Sequence, residues 1–224
     1  VHIRAKDDTV EYEHTTFRAE MYKQGGGHSP KEVRFVDDMS QDASRRDFTA
    51  NAIYYDILSG EIVDYYNGVA DVKSKVLRTV ETPEFVFSRD GLRILRMVRI
   101  ANELGFCIDN HTFEVARELS HQLNDISQER FNKEIVAILF ADYKYDAIDN
   151  VNAYLTGLEQ VGNLHAWEYV LPKFTEIAGR ERVKELYKNE WQNLIKRAHP
   201  ALRISAFVID MCRGLKIDAT KQVV

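Results

Sequence analysis

Apolar residues recur every three to four positions along most of the second part of the chain, which is the spacing of half-buried helices. Pro172 lies inside one of these segments and should kink that helix or restart it. The pattern predicts helices over residues 85–104, 112–122, 128–140, 142–156, 165–176, 182–196 and 200–213.

The first 80 residues show a different pattern, in which short segments rich in β-branched and aromatic residues alternate with polar positions. Ser59 and Gly60 separate two such segments and predict a hairpin turn. Asp42 and Ser44 are candidate N-caps for a helix that would begin near Arg45. The predicted strands span residues 9–17, 31–36, 52–57 and 61–65. The fold class is therefore α+β, with a β-containing head followed by an all-helical neck and body.

The helix predicted for residues 85–104 has an unusual polar face. Arg89, Arg93 and Arg96 stand at positions i, i+4 and i+7, so they share one side of a continuous helix. Because like charges at this spacing repel, the stripe indicates either an anionic partner or ion pairs elsewhere in the fold. Gly105 follows the last apolar residue, where a helix is expected to end.

Composition narrows the possible classes of protein. Hydrophobic residues make up 45% of the 224 residues and charged residues 29%, which is typical of a globular chain. The net charge of −5 argues against indiscriminate nucleic-acid binding but allows a locally basic site. No apolar run is long enough to span a bilayer. Cys107 and Cys212 lack metal-ligand spacing, so we expect reduced thiols and a cytoplasmic location.

Two short motifs combine charged side chains with apolar neighbours. Residues 45–51 read RRDFTAN and precede a predicted strand. Arginine forks bind phosphate oxygens in a bidentate manner, and Asp or Asn can hold ribose hydroxyls. Residues 64–71 read DYYNGVAD, which taken alone indicates only a turn. An ion-pair cluster at a helix end is the alternative interpretation of the first motif.

Four motifs, in the same order, resemble the class II tRNA nucleotidyltransferase family, which contains the CCA-adding enzymes and bacterial poly(A) polymerases. RRDFTANA at 45–52 matches the family pattern RRDFTxNA, and DYYNGVADVKSKVLRTV at 64–80 resembles the motif between head and neck. RDGLRILRMVRIANELGF at 89–106 resembles EDxxRxxRxxRFAxxLGF. ISQER at 126–130, followed by Glu134, resembles ISxERxxxE.

The resemblance implies a domain organisation. Residues 1–83 would be the C-terminal part of a nucleotidyltransferase β-sheet head, residues 84–140 a helical neck that selects the nucleotide, and residues 141–224 an incomplete helical body. It also implies that the chain is truncated at its N-terminus.

The resemblance further implies template-independent addition of C and A from CTP and ATP to the 3′ end of tRNA. The RNA 3′-hydroxyl would attack the α-phosphate in line, with two Mg²⁺ ions as cofactors. Asp90 and Arg93 match the pair that reads the nucleobase. An ionised Asp only accepts hydrogen bonds and an Arg only donates them, so the pair suits C or A and leaves U or G unmatched. Their i, i+3 spacing would place both on one helical face.

Other residues are assigned roles by the same resemblance. Arg89 stands where the family pattern has Glu, so it would either contact phosphate or change the selection of C and A. Arg96 and Arg99 would contact phosphate or brace the neck, and Glu129 and Arg130 would form a buried brace under the neck helix. The residues expected to contact ribose and phosphates are Arg45, Arg46, Asp47 and Asn51.

The catalytic metal site is the largest departure from the family pattern. The Asp-x-Asp pair that would hold Mg²⁺ does not occur in the sequence, so the catalytic residues are unassigned. Glu13 is a candidate third metal ligand, and an exposed strand residue is the equal alternative. We therefore expect a polypeptide of these 224 residues alone to be inactive.

Three alternatives follow from these departures. The parent protein could be a bacterial poly(A) polymerase, or an enzyme of the same family that adds only CC or only A. It could also be a degenerate, non-enzymatic RNA-binding member.

Overall fold

The structure is a computed structural model that describes residues 2–4, 11–13, 15–21, 32–184 and 193–217. Within these residues, eight strands pair into four two-stranded sheets. Three pairs are antiparallel, and the pair formed by β7 and β8 is parallel. The strands are β1 (His2–Arg4), β2 (Glu11–Glu13), β3 (Arg18–Met21), β4 (Glu32–Phe35), β5 (Ile53–Asp56), β6 (Glu61–Asp64), β7 (Val76–Leu77) and β8 (Cys107–Ile108).

Helices dominate the described residues after position 83, and the predicted α+β class is confirmed. Short 3₁₀ turns cover Thr49–Asn51, Ser120–Asp125, Ala141–Tyr143 and Pro200–Leu202. The α-helices are α1 (Met39–Ser44), α2 (Gly68–Ser74), α3 (Pro83–Arg89), α4 (Arg93–Leu104), α5 (Asn110–Glu118), α6 (Gln128–Leu139), α7 (Ala153–Asn163), α8 (Trp167–Val170), α9 (Pro172–Ala178), α10 (Arg180–Lys184), α11 (Asn193–Arg197) and α12 (Arg203–Gly214).

Helix α4 lies at the centre of the molecule. Nine of its twelve residues are buried, and it packs against both α6 and α7. It ends at Gly105, whose φ of 65° lets its N–H reach the carbonyl groups of Ala101 and Asn102. The predicted helix end at Gly105 is therefore confirmed.

The helix predicted as one piece over residues 85–104 is instead two helices, α3 and α4. Asp90 lies between them in an extended conformation, with φ −153° and ψ 106°. The segment between α3 and α4 is called the link. A Cβ atom on Gly91 would lie 2.7 Å from the carbonyl oxygen of Gln122, so the link packs closely against the turn at Ser120–Asp125. The shared face predicted for Arg89 with the arginines of α4 is wrong, because the extended residue Asp90 interrupts the helix between them.

The other sequence predictions agree with the structure in part. The predicted hairpin is confirmed as β5 and β6, and β4 lies within residues 31–36. The predicted restart at Pro172 is also confirmed, since α9 begins there. Residues 9–17 contain β2, and part of that segment lies outside the described residues, as do residues 185–192 of the last-but-one predicted helix.

Three local predictions are wrong. Asp42 lies inside α1 rather than at an N-cap, because the carboxylate of Asp38 caps this helix by accepting from the N–H of Ser40 at 2.8 Å. The helix predicted over 142–156 begins only at Ala153, after Asn152 adopts a left-handed φ of 68°. A strand also occurs after residue 84, where β8 pairs with β7.

Arg203 ties the last helix to the helical centre. It is 5% exposed, and its two terminal nitrogens donate to the Asp142 carboxylate at 2.6 and 2.9 Å. It also donates to the carbonyl of Leu139 at 2.9 Å and lies over the ring of Tyr154 at 4.0 Å. A buried cation is thus neutralised and held against an aromatic face.

Gly68 allows α2 to pack against the turn at Thr49–Asn51. A Cβ atom there would overlap the Thr49 carbonyl and lie 2.9 Å from Cγ1 of Ile53. We expect Gly68→Ala to lower the free energy of unfolding by about 2 kcal/mol, because a rigid backbone atom must move. The measurement is urea unfolding followed by circular dichroism. Ser74→Ala, at an exposed position of the same helix, is the control; equal stability of the two variants would contradict the prediction.

Candidate functional site

An open pocket of about 630 Å³ lies where β3, the turn at Thr49–Asn51 and the N-terminal end of α4 meet. Six arginines and three carboxylates line it, so its charge is positive although the whole chain is acidic. Such a pocket attracts anionic ligands. Its lining residues are Arg18, Glu20, Val33, Arg45, Arg46, Asp47, Asn51, Asp90, Leu92, Arg93, Arg96 and Arg130.

Seven of the eight residues predicted from the sequence to bind nucleotide line this pocket: Arg45, Arg46, Asp47, Asn51, Asp90, Arg93 and Arg96. Arg89, the eighth, does not line it; its guanidinium lies over the ring of Phe85 at 4.0 Å. The structure therefore brings together two sequence segments, residues 45–51 and residues 90–96, in one pocket, and Arg89 is not part of its lining.

Asp42 holds the two arginines of the RRDF motif. Its carboxylate lies 2.6 Å from Nη2 of Arg45 and 2.9 Å from Nη2 of Arg46, and it accepts from the hydroxyl of Tyr54 at 2.8 Å. The side chain is 1% exposed. Burial by itself raises the pKa of Asp42, but hydrogen bonds from Arg45, Tyr54 and Arg46 outweigh it and lower the pKa to about 2. Asp42 is thus a buried anion that fixes both arginines.

Asp42 was not among the predicted site residues. A signal for it was present in the sequence, because a helical Asp three and four residues before two arginines can pair with both of them.

The two arginines held by Asp42 differ in what they can still bind. Arg45 also contacts Oε1 of Glu20 at 3.2 Å, and its side chain is only 12% exposed. The side chain of Arg46 is 35% exposed, about three times as much as that of Arg45. Arg46 is therefore the more open of the two to a ligand phosphate, whereas Arg45 acts mainly as part of the pocket wall.

Asp47 and Arg96 form an ion pair across the boundary between the first and the helical part of the chain. Nε and Nη2 of Arg96 lie 2.9 and 2.6 Å from the same carboxylate oxygen. The other oxygen accepts from the N–H of Phe48 and the amide of Asn51. Burial raises the pKa of Asp47, but the charge of Arg96 and these hydrogen bonds give a net lowering. Asp47 thus positions Arg96 and is itself buried.

Arg93 connects the same two parts of the chain through backbone groups. Only 8% of this residue is exposed, and its Nη2 donates to the carbonyl oxygen of Arg45 at 2.8 Å. Its Nη1 donates to the carbonyl of Val86 at 3.4 Å. The guanidinium edge that faces the pocket is therefore held in a fixed position.

Asp90 reaches the pocket from the link between α3 and α4. Its Oδ1 accepts from the N–H of Leu92 at 3.1 Å, and its Oδ2 accepts from Nη2 of Arg130 at 2.6 Å. The expectation that Asp90 and Arg93 share one face of a continuous helix is wrong, since Asp90 is not helical. Both nevertheless line the same pocket.

The motif at 64–71 supports the pocket from outside. The carboxylate of Asp64 accepts from the N–H groups of Gly68 at 2.9 Å and Val69 at 2.8 Å. The carboxylate of Asp71 accepts from the hydroxyl of Thr49 at 2.8 Å. These bonds fix α2 against the turn that carries Asn51.

Arg99, for which either a phosphate contact or a brace of the neck is predicted, forms ion pairs under α4 that do not involve Glu129. Arg99 lies 2.6 Å from the Glu134 carboxylate of α6 and also pairs with Glu103. Glu129 is 78% exposed in its side chain and pairs with Lys133, so its predicted place in a buried brace is wrong. It faces solvent because it lies in the first turn of α6, opposite the buried face of that helix.

A metal site is not formed by the side chains that the structure describes. No group of three His, Cys, Asp or Glu residues among them could hold a metal ion. Glu13 belongs to β2, and its side chain lies outside the described part of the chain. In the same described residues, no helix has the length and apolar character needed to cross a membrane.

Two segments of the sequence match models of known protein families. Residues 1–78 match the model of the poly A polymerase head domain, and residues 105–151 match the model of a probable RNA- and SrmB-binding site of polymerase A. The chain belongs to the tRNA nucleotidyltransferase and poly(A) polymerase family. The family resemblance read from the four sequence motifs is thereby confirmed.

The chain is similar in sequence to CCA-adding enzymes of several bacteria. That of Lactococcus lactis subsp. cremoris is 35% identical over 203 residues, covering 87% of this chain and 47% of the relative. That of Lactobacillus helveticus is 42% identical over 125 residues, covering 56% of this chain and 31% of the relative. The chain spans about half the length, or less, of these family members.

Solved structures of the family share the fold. The CCA-adding enzyme of Bacillus stearothermophilus in complex with CTP is 25% identical, with a TM-score of 0.65, over 97% of this chain and 50% of the other. A tRNA nucleotidyltransferase complexed with a primer tRNA and an incoming ATP analog is 26% identical, with a TM-score of 0.54, over 78% and 47% of the two chains.

The low pKa of Asp42 predicts how stability depends on pH. An Asp whose pKa falls from 3.8 to about 2 on folding adds stability that is complete above pH 4 and is lost as the pH falls to about 2. That contribution is about 2 kcal/mol. Asp42→Asn should lower the free energy of unfolding at pH 7 by about 3 kcal/mol, and the gap to the wild type should narrow between pH 4 and pH 2.

Chemical unfolding at several pH values measures this gap. Asp37→Asn is the matched control, because Asp37 is an exposed carboxylate close in sequence that takes no part in the ion pairs with Arg45 and Arg46. A gap for Asp42→Asn that stays constant from pH 7 to pH 2 would contradict the assigned pKa.

Proposed function

We propose that this chain is the nucleotide-selecting part of an enzyme that adds C and A from CTP and ATP to the 3′ end of tRNA. The observation that carries the proposal is the single pocket that gathers the RRDF arginines with Asp90 and Arg93. We further propose the division into a head at 1–83, a neck at 84–140 and a body at 141–224.

Nucleobase selection would depend on Asp90 and Arg93. Asp90 accepts from the N–H of Leu92 through Oδ1 and from Nη2 of Arg130 through Oδ2, and each carboxylate oxygen has two lone pairs. An exocyclic amine of cytosine or adenine can donate to it, while a ring nitrogen accepts from Arg93. Uracil and guanine would present an acceptor to Asp90, which also only accepts, and a donor to Arg93, which also only donates. Each unmatched buried group costs about 1–3 kcal/mol.

The phosphates of the nucleotide would lie against Arg46 and Arg96. Both guanidinium groups are anchored by buried aspartates on one side and have side chains that are 35% exposed. Fixed, charged donors bind phosphate oxygens strongly, because little side-chain entropy is lost on binding. Arg45 and Asp47 contribute by holding these groups in place.

The proposed reaction forms a bond between the RNA 3′ oxygen and the α-phosphorus and releases pyrophosphate. Mg²⁺ is the cofactor that the family resemblance implies for this chemistry. The described side chains do not fit a metal site, so no step is assigned to the metal. We also propose a cytoplasmic location, supported by Cys107 and Cys212, neither of which forms a disulfide bond.

The activity can be tested with the full-length protein that carries this chain, given tRNA without its CCA end and each nucleoside triphosphate in turn. We expect incorporation of C and A, little incorporation of U or G, and a product extended by CCA. A long A tract would show a poly(A) polymerase, and no transfer would favour the RNA-binding alternative. The 224-residue chain alone is expected to transfer no nucleotide.

The phosphate-binding role of Arg46 makes a separate prediction. We expect Arg46→Gln to weaken the binding of all four nucleoside triphosphates by about tenfold, because they share the same phosphates and a charged hydrogen bond is lost. Isothermal titration of each nucleotide measures this. Arg34→Gln is the control, since Arg34 forms an exposed ion pair with Glu32 and does not line the pocket; equal effects of both substitutions would count against the assignment.

A further inference from the structure

Arg130 approaches the pocket from α6, a helix that contributes no other residue to its lining. Its Nη2 lies 2.6 Å from Oδ2 of Asp90, forty positions earlier in the chain. The side chain of Arg130 is 37% exposed, while that of Asp90 is 16% exposed. The pair therefore lies at the pocket edge, with the carboxylate on its inner side.

The backbone around Asp90 does not by itself fix the carboxylate. Asp90 is extended and lies between two helices, so no helical turn limits its side-chain torsions. Its Oδ1 is held by the N–H of Leu92, which is only two residues away and moves with the same link. The contact with Arg130 joins this carboxylate to α6, forty positions later in the chain.

Helix α6 provides a rigid base for this contact. Phe131 and Ile135, which follow Arg130, are buried in the core. Glu134 of the same helix binds Arg99 of α4 at 2.6 Å. Because α6 is fixed to α4 in this way, Arg130 holds Asp90 at a constant position relative to Arg93 on α4.

We propose that Arg130 is a positioning residue for nucleobase selection, because it holds the Asp90 carboxylate in the orientation that discriminates between bases. This inference rests on the proposed function, in which Asp90 accepts from the exocyclic amine of the base. Hydrogen-bond discrimination depends on the direction of the acceptor, and an Asp90 carboxylate turned away from this direction would accept from other donors as well. Loss of Arg130 should therefore reduce selectivity more than it reduces the overall rate.

Two other roles for Arg130 make different predictions. If Arg130 bound a phosphate of the nucleotide or the RNA, its loss would lower kcat/KM for CTP and UTP by the same factor. If it only stabilised the fold, the rate would fall in proportion to the folded fraction, and the ratio of the two kcat/KM values would not change. The ratio is therefore the informative measurement.

The experiment compares kcat/KM for CTP and UTP in the full-length protein with tRNA lacking its CCA end, at a temperature where circular dichroism shows each variant folded. We expect Arg130→Met to lower the CTP-to-UTP ratio by about tenfold, which corresponds to one misdirected hydrogen bond. Arg130→Lys should restore part of the ratio, because an ammonium can still donate to Asp90. If Arg130→Met does not fold, Arg130→Lys and Arg130→Gln provide the same comparison.

Two controls complete the design. Lys133→Met removes a cation and an ion pair from the same helix at an exposed site, and should leave the ratio unchanged. A double-mutant cycle with Asp90→Asn tests whether Arg130 acts through Asp90. In that case Arg130→Met should lower the ratio no further once Asp90 is replaced.

The outcomes separate this inference from the proposed function. The positioning role alone would be overturned if Arg130→Met lowered kcat/KM for CTP and for UTP by the same factor. It would also be overturned if the effects of Arg130→Met and Asp90→Asn on the CTP-to-UTP ratio multiplied in the double variant. A wild-type protein without preference for CTP over UTP would overturn the proposed function and the positioning role together.

Discussion

Repulsion among six arginines in one pocket is the constraint on which the rest of this structure depends. Arginine stays protonated at any physiological pH, so such a cluster cannot relieve the repulsion by losing protons. The fold instead places carboxylates among the cations. Asp42 lies behind Arg45 and Arg46, and Asp47 lies behind Arg96. The cluster keeps a net positive charge toward solvent while its inner side is neutralised.

The same ion pairs also hold the first part of the chain to the helical part. Asp47 follows α1 and Arg96 lies on α4, so their contact joins two regions distant in sequence. Arg93 adds a bond from α4 to the carbonyl of Arg45. Because an unpaired buried charge is very unfavourable, separation of these regions would expose or isolate several charges at once. Pocket geometry and the packing of the two regions are therefore set by one group of interactions.

Close backbone contacts determine where the selecting residues stand. Gly91 lets the link between α3 and α4 press against Gln122, which brings Asp90 off the helix and beside Arg130. Gly68 lets α2 approach Thr49, next to the turn that carries Asn51. At both positions a methyl group would meet backbone atoms, which cannot rotate away as a side chain can. The shape of the pocket thus depends on two residues that contribute no side chain to it.

The sequence by itself determined the family, the α+β class, the hairpin of β5 and β6, the helix end at Gly105 and seven of the twelve residues that line the pocket. These are local or motif properties: periodicity, turn chemistry and residue type at a fixed spacing can be read without knowing what packs against them.

Only the tertiary structure decided that the predicted long helix breaks at Asp90, that Asp42 is a buried anion inside a helix, and that Arg130 meets Asp90. Each involves contacts between residues far apart in the sequence, such as Gly91 with Gln122 or Asp42 with the N–H of Arg18, and periodicity carries no information about such partners. Arg89 shows the difference most directly. Its spacing placed it in the arginine stripe, but α3 ends at Arg89 before α4 begins, and its guanidinium lies over Phe85 of its own helix instead of lining the pocket.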